Sequence, residues 1–122
     1  MRSRAAAVAA IAVAASAAAA TLPAQAGYPP RKIVGVYDNF YLPEKLTVKK
    51  DTLVVWKWPD DSGDVHDVKL KERPKGAKRF WSDPATVGYK FKRRLTVPGR
   101  YHIVCTLHQE MEMNIVVRRP SR

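Results

Sequence analysis

In the run Cys105-Thr106-Leu107-His108-Gln109-Glu110-Met111, a thiol, an imidazole and a thioether follow one another at three-residue intervals. Cys105 is the only cysteine of the 122 residues, so it cannot form an internal disulfide. The donor types point to copper. Soft sulfur favours Cu(I), and two histidines and one cysteine with a long, weak axial methionine make up the trigonal site of electron-transfer copper proteins. The run lacks one imidazole of that set, and His66, 39 residues before Cys105, is placed to supply it. Met113, two residues beyond Met111, is a second thioether.

These side chains need strands to hold them. Tyr101, Ile103 and Cys105 alternate with His102 and Val104, so a period of two puts the first three on one strand face. Cys105 then points inward at the strand's end, and His102 faces away from it. Met113, Ile115 and Val117 alternate with Asn114 and Val116 and predict a second strand with its own apolar face. The Cys-His-Met run becomes the loop between two strands, closed by a ligand from the strand-like run Val65-His66-Asp67-Val68-Lys69-Leu70. Upstream, residues 33–37 predict a strand, 38–43 a loop carrying apolar residues, and Leu46 and Val48 the start of another strand. Val54, Trp56 and Trp58 share one face of 52–58, whose apolar area suits a central core strand. Pro59 to Asp64 is turn chemistry throughout. Residues 71–88, broken by Pro74, Gly76, Pro84 and Gly88, read as a long loop with at most one turn of helix, pinned to the core by Phe80 and Trp81. Tyr89 to Val97 alternates again, with Lys90, Lys92 and Arg94 on a wet, basic side, and Pro98-Gly99 supplies a turn. Seven or eight short strands with turn signals and no helical period predict an all-β fold, a Greek-key sandwich or barrel.

Residues 1–26 read as a signal peptide, with Arg2 and Arg4, an apolar stretch from Ala5 to Ala20, and the small-residue site Ala24-Gln25-Ala26. That stretch is short for a membrane span, and no cysteine near the cleavage site could take a lipid. The expectation is an exported protein of the periplasm, cell envelope or exterior, with no stable membrane insertion after cleavage. Cleavage leaves residues 27–122, enough for one small domain. Small exported domains often rely on disulfides, and a bound metal offers the same service because its ligands converge only in the folded state. Without Arg2 and Arg4 the chain carries 20 basic and 11 acidic side chains, a net +9. Lys69, Lys71, Arg73, Lys75, Lys78 and Arg79 form one cluster, Lys90 to Arg94 a second, and Arg118, Arg119 and Arg122 a third. Such charge favours an acidic partner, or simply solubility; export argues against nucleic acid.

With these residues in view, the chain resembles the cupredoxin family of type 1 blue copper proteins, in its amicyanin-like and plastocyanin-like members. The resemblance covers the Phe40 to Pro43 segment, the Thr52 to Trp58 strand, His66, Pro98-Gly99-Arg100-Tyr101, and Cys105 through Val117. It implies one copper ion per chain, alternating between Cu(I) and Cu(II), with His66, Cys105 and His108 as equatorial ligands and Met111 as axial ligand. The Cys-x2-His-x2-Met spacing to Met111 is similar to amicyanin, and Cys-x2-His-x4-Met to Met113 is similar to plastocyanin. Met111 is preferred because Met113 shares the apolar face of Ile115 and Val117 and is accounted for as core. The chain departs from the family pattern at Asp67, where Asn is common, at Leu107, where Pro is frequent, and at Met113, where a Gly usually follows the axial Met. The first two bear on hydrogen bonding around the thiolate and hence on potential. The resemblance also implies an electron carrier, with His108 as the electron port and Leu107 and Leu42 or Pro43 around it; no proton donor or nucleophile pair points to an enzyme, and a monomer is expected. A copper-binding or delivery protein of the cell envelope is the rival reading. Multicopper oxidases need several His-x-His pairs and the binuclear centre needs two cysteines, and neither is present.

Overall fold

Alternating apolar and polar residues build eight strands and no helix among the residues described by this computed structural model, which are 30–61 and 63–120. The predicted signal peptide lies outside the described residues. The strands are β1 (Arg31–Tyr37), β2 (Phe40–Leu42), β3 (Lys45–Lys49), β4 (Thr52–Lys57), β5 (Lys69–Glu72), β6 (Lys90–Leu95), β7 (Gly99–Val104) and β8 (Glu112–Arg118). They form two four-stranded sheets, ordered β2-β1-β4-β6 and β3-β8-β7-β5. β1 runs parallel to β4 and β3 parallel to β8, while the other neighbours are antiparallel. Only β1–β2 and β7–β8 are consecutive strands that stay in one sheet, and every other connection crosses between layers. This is the expected all-β sandwich with Greek-key connections.

The core fills the space between the sheets. Val34, Val36, Val54 and Trp56 from the first sheet and Tyr101, Ile103, Met113 and Ile115 from the second are all buried. Trp56 sits at its centre, as the central-strand reading of β4 requires, with ring centroids 5.6 Å from Phe80 and 5.8 Å from Phe91. Its indole N–H donates to Met113 Sδ at 3.4 Å.

Three local expectations are corrected. The predicted loop at 38–43 contains strand β2, because Asn39 takes a left-handed conformation (φ 72°) that turns the chain back and buries Tyr41. Regular pairing in the His66 run begins only at Lys69; His66 itself makes an isolated bridge with Ala85. Phe80 is buried but Trp81 is 59% exposed, since neighbouring residues of extended chain point to opposite sides.

Gly99 opens β7 with φ 136°, a region that suits glycine, and a Cβ there would stand 2.6 Å from Pro74 Cβ. Gly99→Ala is expected to cost more than about 1 kcal/mol through strain and this clash. Urea unfolding should show a lower midpoint with an unchanged slope.

Candidate metal centre

The run 105–111 connects β7 to β8 and is closed at its base by the Cys105 N–H donating to the Met111 carbonyl at 2.9 Å. Glu110 has positive φ (66°), which lets so short a connection turn back. Inside the loop, Cys105 Sγ lies 3.6 Å from His108 Nδ1. Cys105, His108 and Met111 line one recess.

His66 reaches the same place from the other half of the chain. Its backbone N–H donates to the Ala85 carbonyl at 2.9 Å, and its carbonyl accepts from the Ala85 N–H at 3.0 Å and the Trp58 indole at 3.2 Å. The His66 and His108 ring centroids are 4.8 Å apart. One ligand atom each from His66, Cys105 and His108 lies within 4.8 Å of the others, forming a group that could hold a metal ion. His66 is fully buried and Cys105 nearly so, while His108 is partly exposed.

The two nitrogens of His66 differ. Nε2 is 2.8 Å from Asp38 Oδ1, and an ionised carboxylate only accepts, so the ring proton belongs on Nε2 and the lone pair on Nδ1. Nδ1 is buried without a hydrogen-bond partner, a deficit that costs on the order of 1–3 kcal/mol unless something fills it. A cation at Nδ1 fills it. The carboxylate–histidine arrangement is how metal-binding imidazoles are generally oriented. One thiolate and two imidazoles, one with an unused lone pair, fit copper.

Asp67 holds the two halves together. It is buried and accepts from the Thr106 amide at 2.7 Å, the Trp81 indole at 2.9 Å and the Thr106 hydroxyl. Burial alone would raise its pKa, but these donors outweigh burial and hold the carboxyl below its ordinary value. The residue after His66 is thereby tied to the residue after Cys105. Burial pushes the Cys105 thiol up from its ordinary value, against the backbone N–H groups of Asp67 and Leu107, which favour the thiolate. A bound cation would displace that proton. Behind the site, the Tyr41 hydroxyl donates to the Asp67 carbonyl, and burial drives this phenol far above its usual range.

Of the sequence candidates, Met111 and Met113 are both buried, and Met113 has its sulfur engaged by Trp56. His102 pairs with Glu112 at 3.1 Å, outside the cluster, as its strand parity predicts. Asp38 was not legible as a site residue, because an Asp before Asn reads as turn chemistry. Asp67 stood out only as a departure from a family pattern, with no hint of its partners.

Neither a protein-family model nor a curated protein matches the sequence. Solved structures do. The copper-containing nitrite reductase of Thermus scotoductus SA-01 superposes with a TM-score of 0.65 at 23% identity, over 77% of this chain and 23% of that one. The chain thus spans under a quarter of that enzyme. The reduced Cu(I) form of an amicyanin mutant at pH 4 gives 0.63 at 21% identity, over 75% of this chain and 85% of that one. A second reduced amicyanin mutant gives 0.63 at 20% identity over the same shares. At these identities the likeness is one of architecture, and the architecture is the cupredoxin fold.

Proposed function

We propose that this is an exported type 1 blue copper protein, with residues 1–26 as signal peptide and 27–122 as the copper-binding domain, carrying single electrons between redox partners. His66, Cys105 and His108, with Met111 as the fourth donor, would hold one copper ion. The observation that carries this reading is the meeting of those first three side chains, one of which, His66, has a buried, unpartnered imidazole nitrogen. Copper bound there supplies one-electron exchange between Cu(I) and Cu(II).

The residues contribute a geometry that needs little rearrangement between the two states. His66 is held at both backbone positions and at Nε2, and Cys105 through the loop closure and the Asp67–Thr106 clamp. Met111 is favoured over Met113 because it lines the recess with Cys105 and His108, whereas Met113 accepts the Trp56 N–H inside the core. His108, partly exposed, brings the site to the surface beside exposed Leu107. The net charge of +9 on residues 27–122 favours an acidic redox partner, and the protein acts as a monomeric carrier and not as an enzyme.

Copper stoichiometry and visible absorption of the purified, oxidised mature chain test this reading. One copper per chain and an intense blue colour are expected. A colourless Cu(I) form that yields its metal to a mild chelator would point to copper delivery instead. Met111→Leu is expected to change the visible spectrum and raise the reduction potential. Met113→Leu should leave both unchanged and cost about 1 kcal/mol, because the buried indole N–H loses its acceptor. The opposite pattern would make Met113 the axial ligand.

A further inference from the structure

Trp81 is the most exposed of the large apolar side chains among the described residues, at 59%, while the other two tryptophans are buried. An indole on the surface forgoes burial. This one is nevertheless wired inward: its N–H donates to Asp67 Oδ2 at 2.9 Å, and Asp67 Oδ1 accepts the Thr106 amide at 2.7 Å, one peptide link from Cys105. Two hydrogen bonds and one carboxylate thus join the exposed ring to the residue bearing the thiolate.

The surroundings of the ring are cationic. Lys69 Nζ lies 4.5 Å from the Trp81 ring centroid. Lys69, Lys71, Arg73 and Arg79 line a groove with Phe80 and Trp81, and no carboxylate is among its lining residues. The surface near His108 is mixed: Lys69 and Lys71 reach the recess that it lines, beside Glu110 and Glu112. Asp64 Oδ2 is 3.5 Å from His108 Nε2 and Asp38 lies against His66, and both carboxylates are substantially exposed. An acidic surface approaching His108 meets carboxylates as well as Lys69 and Lys71; approaching Trp81, it meets four cations around an aromatic ring and no lining carboxylate.

We propose that the Trp81 groove is a docking surface for the acidic face of a redox protein, and that electrons pass between that partner and the copper through Trp81, Asp67 and the Thr106–Cys105 link. This rests on the copper-carrier reading. The step moves one electron: Cu(I) becomes Cu(II) as the partner's centre is reduced by one electron, with no bond broken and no proton transferred. Trp81 and Asp67 serve as bridges and are not themselves oxidised. His108 is left as a separate port for partners without acidic faces.

The test uses the full mature chain loaded with copper and two oxidants of opposite charge, hexacyanoferrate(III) and tris(phenanthroline)cobalt(III), followed by stopped flow. At low salt, the double variant Arg73→Glu/Arg79→Glu, at two groove residues that do not line the His108 recess, is expected to slow oxidation by hexacyanoferrate(III) at least tenfold. The gap should close at high salt. Oxidation by the cobalt cation should be unchanged or faster, with reduction potential and spectrum unaltered. Trp81→Phe, which keeps an aromatic ring but loses the N–H, is expected to slow the anionic oxidant several-fold while leaving the cationic one unaffected. Redox-inert hexacyanochromate(III) should broaden amide NMR signals around Trp81, with or without copper. Broadening confined to Lys90–Arg94 or to Arg118 and Arg119, or an unchanged hexacyanoferrate rate in the double variant, would overturn the proposal. So would charge-dependent binding to phosphatidylglycerol vesicles without any effect on that rate, which would reassign the groove to a lipid surface. Because the broadening experiment needs no copper, these failures are separable from absence of a blue copper site, which would remove the carrier reading itself.

Discussion

Cys105→Ser is expected to abolish the blue absorption entirely and to remove the thermal stabilisation that copper confers. The colour of such a site arises from charge transfer out of the thiolate, and a serine hydroxyl, which stays protonated and is a hard donor, cannot replace it. The stability effect follows from linkage. In the proposed reading copper binds the converged ligands of the folded chain, so at a free concentration a thousand times Kd it would add about 4 kcal/mol. For a domain of this size that corresponds to roughly 15–30 °C in Tm. The copper-free variant should melt close to the copper-free parent, because serine is nearly the size of cysteine and this side chain is 5% exposed. Calorimetry of both proteins with and without copper separates the two effects. A variant that keeps the full copper-dependent rise in Tm would remove Cys105 from the ligand set.

Trp56→Ala is expected to have the largest effect on the copper-free fold, a loss of about 3–5 kcal/mol. Trp56 is fully buried, packs against Phe80 and Phe91, and supplies the N–H that engages Met113. Natural domains have only about 5–15 kcal/mol of stability in all, so the variant should be partly unfolded without metal at ordinary temperature. Copper should restore much of the folded population, since binding and folding share one free energy. Trp56→Phe keeps most of the apolar area and should cost less than half as much. Urea titration of the copper-free proteins measures the ranking directly. Equal midpoints for parent and Trp56→Ala would mean that the sandwich does not depend on this ring.

The arrangement of charge around the site accounts for a contrast in the chain. The protein as a whole is strongly basic, with 22 Lys and Arg against 11 Asp and Glu. Yet three aspartates stand around the His66–Cys105–His108 group: Asp38 on the Nε2 of His66, Asp64 beside His108, and Asp67 between the two halves of the loop cluster. With copper bound as proposed, these carboxylates would favour the more highly charged state of the ion. Of the cations, Lys69 and Lys71 reach the same recess, and with Arg73 and Arg79 they line the groove at Trp81.

Much of the fold was readable because strand structure is local. Side chains alternate along extended chain, so the inward set Tyr101, Ile103 and Cys105 and the set Met113, Ile115 and Val117 declared their faces, and each of these six is buried. The proximity of Cys105 to His108 was readable for the same reason, since three residues in a short connection cannot lie far apart. Asp38 pairing with His66, Asp67 clamping Thr106, and the parallel partnerships of β1 with β4 and β3 with β8 were not. Each joins segments distant along the chain, and which of them meet depends on the order of strands in two sheets. Residue type and spacing state what chemistry a side chain can do and which way its own strand presents it. The partner it finds across the sandwich is decided by how the layers stack, a property of the packed core as a whole that no short window of sequence contains.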